Sequence, residues 1–109
     1  LIAAQTEELV SHAIERMREF KISQIPVKDM NGFVGSIDES VLLHNFIADK
    51  NIADKAIKEI MGKPYPIVKK SAKLDEISKL ITKENQAVLV DLENGKHHII
   101  TKYDIISAM

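Results

Sequence analysis

Two four-residue patterns in this chain carry side chains that could do chemistry. Thr101-Lys102-Tyr103-Asp104 sets a hydroxyl three residues before a carboxylate, directly after the apolar pair Ile99-Ile100, and Ser36-Ile37-Asp38-Glu39 repeats the arrangement. A carboxylate in such a place can accept hydrogen bonds from ligand hydroxyls, and the Ser or Thr can donate to a ligand oxygen. The same spacing is also the signature of a helix capping box. Ser36 and Glu39 match the box, so a structural role is expected there. Asp104 is shorter than the Glu or Gln that usually closes a box, which favours ligand binding at the second pattern. The two roles are compatible, with Thr101 starting a helix and Asp104 turned outward.

Other chemistry is thinly represented. The chain has no Cys, which excludes disulfides, thiolate zinc sites and Cys nucleophiles and fits a reducing cytoplasm. His97 and His98 are neighbours on an expected strand and point to opposite faces, while His12 and His44 lie on separate expected helices. No metal site is expected. The four Gly form no phosphate-cradling loop, and no Ser/His/Asp set can be assigned as a triad, so no catalytic residue is expected. Residues 1–54 carry a net charge of −4 and residues 55–109 one of +3, without the basic stripe of a nucleic-acid binder. No apolar run reaches membrane-span length.

The elements that must position the two patterns can be read from periodicity. A helix is expected over residues 6–20, capped by Thr6, with Leu9, Ala13, Ile14, Met17 and Phe20 on one face. A strand follows over Ile22–Lys28. Its Pro26 lacks an N–H, which predicts a sheet edge or opening. Asn31-Gly32 signals a hairpin. A return strand over Phe33–Ile37 leads into a helix with Val41, Leu42, Phe46 and Ile47 on its apolar side. A connector over residues 49–63 holds a short helix ended by Gly62. The order then restarts: a strand in YPIVKK, a helix in SAKLDEISKLITKEN capped by Ser71 with Leu74, Ile77, Leu80 and Ile81 buried, a strand in QAVLVDL, a turn at Asn94-Gly95, a strand in KHHIIT and a closing helix. The chain is thus an internal repeat. Gln24–Val27 corresponds to Gln86–Leu89, and Ser36–Glu39 to Thr101–Asp104. The first copy opens on a truncated strand, with Leu1-Ile2-Ala3 as its remnant. The chain begins in mid-pattern without Met and is expected to come from something longer.

The stretches ISQIPVKDMNGFVGSIDESVLL and AVLVDLENGKHHIITKYDII resemble a tandem pair of CBS domains, the modules named after cystathionine β-synthase. The resemblance covers nearly the whole chain. The phrase ISQIPV ahead of an Asn-Gly turn and G-S-I-x-E is most similar to the regulatory end of the pyridoxal-phosphate-dependent cystathionine β-synthases. It implies an α/β fold of two β-α-β-β-α motifs packed about a pseudo-two-fold axis, with motifs over residues 1–48 and 64–109 and the connector 49–63 between them.

The resemblance further implies a regulatory module that binds an adenosyl ligand, such as AMP, ATP or S-adenosylmethionine, in clefts between the halves. One cleft would join Thr101, Asp104 and Ile100 to Ile22, Gln24, Ile25 and Pro26. Asp104 would accept both ribose hydroxyls, Thr101 and Lys102 would meet a ribose or phosphate oxygen, and Ile22, Ile25 and Ile100 would flank the adenine. A second cleft would join Ser36 and Glu39 to Ile67, Gln86 and Ala87. There Ser replaces Thr, the longer Glu replaces Asp and Ala stands near the Pro position, so weaker, altered or absent binding is expected.

The chain is therefore expected to be a non-enzymatic sensor, homodimeric, reporting to an attached catalytic domain, without a resident cofactor, metal, nucleic acid or membrane. The alternative is a purely structural dimerisation module. An amino-acid-binding domain of ferredoxin-like topology is disfavoured by the doubled hairpins and paired Ser/Thr-x-x-acid patterns.

Overall fold

The computed structural model describes residues 1–109 and divides into two units: Ile2–Pro64, and Tyr65–Met109 together with Leu1. Each holds a three-stranded sheet with helices.

In the first unit, β1 (Ala4–Gln5) runs parallel to β2 (Gln24–Asp29), which pairs antiparallel with β3 (Gly32–Asp38). The opening strand is thus Ala4-Gln5 rather than Leu1-Ile2-Ala3, because the parallel register sets Ala4 opposite Val27. Helix α1 (Val10–Phe20) starts at Leu9 without a side-chain cap. Thr6, expected as the cap, instead donates its N–H to the Lys28 carbonyl, extending the sheet. Lys21 ends α1 in the left-handed region (φ 54°), and the Ile22 N–H then returns to the Met17 carbonyl. Val10, Ala13 and Met17 are buried at helical spacing, while Phe20 is about half exposed.

Helix α2 (Glu39–Ala48) follows β3 directly. The connector forms two 3₁₀ turns, Ile52–Asp54 and Ile57–Glu59, in place of the expected single helix. It belongs to the first unit's core: Ile52, Ile57 and Ile60 pack with Ala4, Val10, Ala13, Met17, Ile25, Val27 and Ile37. Ile25, Ile37 and Ile57 are completely buried, each worth about 1.5–3 kcal/mol relative to exposure.

Pro26 lies in the central strand of its sheet, not at an edge. The second unit shows how this is tolerated. There β4 (Ile67–Lys69), β5 (Ala87–Asp91) and β6 (His97–Thr101) repeat the order β1-β2-β3. Pairing of Gln24 with Asp38 and of Ala87 with Thr101 makes Pro26 the counterpart of Leu89. The Leu89 N–H reaches the Pro66 carbonyl at 2.8 Å. Pro26 cannot make that bond, and β1 is correspondingly only two residues long.

The two hairpins also differ. The first is a tight turn with a bulge after Val27; Gly32 opens β3 at φ +126°, and the Asn31 N–H is held by the Asp29 carboxylate. The second places Glu93, Asn94 and Gly95 successively at positive φ. Helix α3 (Leu74–Leu80) is shorter than its sequence pattern and starts at Lys73 without a side-chain cap, so Ser71 is not the cap. Ile77 is buried while Leu74 is half exposed. Ala87, Val88, Leu89 and Val90 are all buried, as suits a central strand covered on both faces. Helix α4 (Lys102–Ser107) closes the chain.

Candidate functional site

Each sheet's last strand runs straight into a helix, and this junction positions the candidate side chains. At the β6–α4 junction, Thr101 is the N-cap residue, with extended backbone. The Asp104 carboxylate reaches back to it, accepting the Thr101 N–H at 2.8 Å and the Thr101 hydroxyl at 3.1 Å through the same oxygen, Oδ2. Asp104 thus closes a capping arrangement despite its short side chain. Its second oxygen, Oδ1, makes no hydrogen bond within the chain, and the residue is exposed. One oxygen serves the cap, and the other remains available to an outside donor. Lys102 is exposed beside it, and Ile100 is half-buried on β6.

The first junction is built differently, and the sequence-based capping assignment is corrected there. The N-cap of α2 is Asp38, whose carboxylate accepts the Val41 N–H at 2.8 Å. Ser36 lies two residues earlier, inside β3 and buried, and its hydroxyl donates to the Lys63 carbonyl at 2.6 Å. The Ser36 and Gly62 backbones also exchange a reciprocal pair of hydrogen bonds, 3.1 and 2.8 Å. Glu39 is exposed in the first turn of α2 and caps nothing. A constant offset of 63 residues relates the two junctions, Asp38 to Thr101 and Gln24 to Ala87. The counterpart of Asp104 is therefore Val41, and that of Ser36 is Ile99. The expected matching of Ser36 with Thr101 is out of register, because a shared Ser/Thr-x-x-acid spelling outweighed the strand pairing that alone fixes equivalence.

The remaining candidates fall as follows. On the first unit, Pro26 is fully buried opposite Ser36, Ile25 is fully buried opposite Ile37, and Gln24 stands opposite Asp38, half-buried, accepting a bond from the Ser23 hydroxyl. Ile25 belongs to the unit's hydrophobic core, so its expected place against an adenine face is corrected. Ile22 is only partly buried against that core and keeps exposed surface. On the second unit, Ala87 is buried opposite Thr101, Ile67 is half exposed on β4, and Gln86 is half-buried, donating its side-chain amide to the Lys83 carbonyl. The structure thus brings Thr101, Asp104, Ile100 and Ala87 together, and separately Ser36, Pro26, Ile25 and Gln24.

Sequence reasoning missed one feature of the surface. Leu43, Phe46 and Ile47 form an exposed stripe on α2, with Ile47 74 % exposed; Phe46 and Ile47 belong to the apolar side expected of this helix. Beside it, a groove of about 370 Å³ is lined by Ile14, Leu42, Leu43, Phe46 and Ile52 together with Glu39 and Lys50. The sequence signal was present: α2 is apolar on nearly all sides, more than one core-facing stripe can use. No cluster of three or more His, Asp or Glu side chains is disposed to hold a metal ion, and no helix is long and apolar enough to cross a membrane.

Comparison with known proteins agrees with this architecture. The CBS-domain family model matches residues 1–47 and again 57–109. No relative is found among curated proteins. Among solved structures, a CBS-domain protein of Agrobacterium tumefaciens is similar at a TM-score of 0.85 and 17% identity, over 99% of this chain and 83% of that one. CBSX2 in complex with AMP is similar at 0.76 and 22%, over 99% and 86%. MJ1225 of Methanocaldococcus jannaschii, a proposed archaeal homologue of γ-AMPK, is similar at 0.83 and 22%, over 99% and 44%. With two family matches that together span most of its length, on the two repeated sheet units, this chain belongs to the CBS-domain family as a tandem pair.

Proposed function

We propose that this chain is a regulatory module that binds an adenosyl ligand such as AMP, ATP or S-adenosylmethionine. In this reading it is not itself an enzyme and acts on an attached domain, that of a cytoplasmic, pyridoxal-phosphate-dependent cystathionine β-synthase-like protein. The observation that carries the reading is Asp104: an exposed carboxylate held by its own cap, with one oxygen free. A preorganised carboxylate edge suits a vicinal diol, and Thr101 and Lys102 supply donors beside it. The resemblance to the CBS fold of CBSX2, solved with AMP, supports the ligand class. Binding would favour one conformation of the module over another and thereby shift the population felt by the attached domain. Calorimetric titration with AMP, ATP and S-adenosylmethionine tests this. At least one is expected to bind, and failure of all three at millimolar concentration would overturn the reading.

A second reading, dimerisation, is favoured by the α2 stripe of Leu43, Phe46 and Ile47. Antiparallel pairing of α2 with its copy across a two-fold axis would bring Glu39 of one chain towards Lys50 of the other. In this reading Phe46→Glu shifts the sedimenting species from dimer to monomer. A dimer indifferent to every nucleotide would favour a purely structural module over a sensor.

A further inference from the structure

The two Asn-Gly pairs sit in hairpin turns of different build, and the difference falls on the glycine N–H. In the first hairpin, the Lys28 carbonyl turns to Thr6, away from β3, so Asp29 and its partner Gly32 face each other across the turn. The Gly32 N–H is thus engaged by the ladder, and the Asn31 N–H is held by the Asp29 carboxylate at 2.8 Å. In the second hairpin the ladder ends at the pair Asp91 and His97, and Asn94-Gly95 stands clear of it. The Lys96 N–H closes that turn on the Glu93 carbonyl at 3.1 Å, with Asn94 at φ 55° and Gly95 at φ 75°, the signs of a type I′ turn. Neither the Gly95 N–H nor the Asn94 side chain has a hydrogen-bond partner within the chain. Residues 91–96 are all exposed, and no atom lies within 4 Å of where a Gly95 side chain would begin.

We propose that Asn94 is a site of spontaneous deamidation and isoaspartate formation in the folded chain, and that the fold shields Asn31 from the same reaction. The Gly95 nitrogen forms a bond to the side-chain carbonyl carbon of Asn94. The bond from that carbon to the side-chain nitrogen breaks, and the nitrogen leaves as ammonia with the proton lost by Gly95. Water then adds to either carbonyl of the cyclic imide and opens it to Asp or isoAsp. Nothing is oxidised or reduced, and water is the sole co-reactant. A glycine nitrogen suits the attack because no Cβ crowds it. Rotation of the Asn94–Gly95 backbone towards the imide breaks one exposed bond, from Lys96 to Glu93. The same rotation at Asn31–Gly32 must open the ladder pair with Asp29 and pull the Asn31 N–H from the Asp29 carboxylate. Conversion adds a carboxylate to a turn that already holds Asp91 and Glu93. IsoAsp also lengthens the main chain by a methylene inside the closure made by the Leu92 N–H and the Lys96 carbonyl. The change falls on the hairpin that carries β6 to Thr101. The inference is independent of the ligand-binding reading.

Timed incubation of the chain at neutral pH tests the proposal, with peptide mapping that separates Asn, Asp and isoAsp at each position. Conversion at Asn94 is expected to be at least about tenfold faster than at Asn31, the factor supplied by one ladder bond that must open first. In urea sufficient to unfold the chain, the two rates are expected to converge to within about twofold, because the fold no longer distinguishes two identical dipeptides. Both Asp and isoAsp are expected as products at Asn94. Equal rates in the folded chain would overturn the proposal. So would a ratio that persists in urea, which would assign the difference to neighbouring residues rather than to the turns. Asp as the sole product would also overturn it, since the Gly95 nitrogen would then take no part.

Discussion

Glu8 and Arg16 form a clamp whose contribution can be estimated from its geometry. The Glu8 carboxylate accepts the Gln5 N–H at 2.7 Å and two bonds from the Arg16 guanidinium, one at 2.9 Å, and Arg16 also donates to the Ala3 carbonyl at 3.0 Å. The clamp thus fastens β1 to α1. The hydrogen bond from Arg16 leads the causes that hold the Glu8 carboxyl at about 2, down from 4.5. That drop converts to at most ~3 kcal/mol of stabilisation. The Glu8 side chain is 23% exposed and that of Arg16 31%, so water screens the pair. About 1–2 kcal/mol is therefore expected for the charge. Glu8→Gln keeps the shape and removes the charge. Because the folded carboxyl titrates below the unfolded one, the stabilisation is fully present above about pH 4.5 and fades as pH falls towards 2. Urea unfolding of both proteins at pH 7, 5, 4 and 3 should show a constant gap at the first two values and a shrinking one below. A gap under about 0.3 kcal/mol at pH 7, or one that persists undiminished at pH 3, would refute the electrostatic account.

Three further outcomes follow from the two junctions. Asp104→Asn retains an oxygen for the Thr101 N–H but loses the charge, so thermal stability should change by less than about 0.5 kcal/mol while affinity for the adenosyl ligand falls at least about tenfold by calorimetry. Gly35→Ala would drive a methyl group into the Met61 side chain and set it 3.0 Å from the Gly62 carbonyl, costing about 1–3 kcal/mol in denaturant unfolding, and Met61→Ala should recover part of the loss. Asp38→Ala should cost about 1 kcal/mol through its lost cap, whereas Glu39→Ala should stay within about 0.5 kcal/mol; the reverse order would restore Glu39 as the capping acid.

The repeat, the α/β class and the position of most elements were legible in the amino-acid sequence. Hydrophobic periodicity and the two Asn-Gly turns are local signals, and local signals survive without knowledge of the partner strand. Thr101 as a helix start was legible too. What failed was anything settled at a distance. Ser71 and Thr6 have cap chemistry, yet Ser71 lies two residues before the N-cap position of α3, Lys73, and Thr6 joins the sheet. Ser36 and Glu39 spell a capping box, but strand register puts Asp38 at the cap and commits Ser36 to the connector. Pro26 argues for an edge, but its strand is central because a neighbour can shorten to spare the missing bond.

The sequence by itself determined that this chain is a doubled module with an aliphatic core, no thiol, and one Thr-x-x-Asp turn at the start of its last helix. Those follow from composition and from spacings within a few residues. Only the tertiary structure decided that the turns are not equivalents, that Val41 rather than Glu39 stands where Asp104 does, and that the connector pairs with β3 at Ser36. Register is a property of paired strands: each pairing is set by burial of a whole face against a neighbour far along the chain, and no four-residue pattern carries that information.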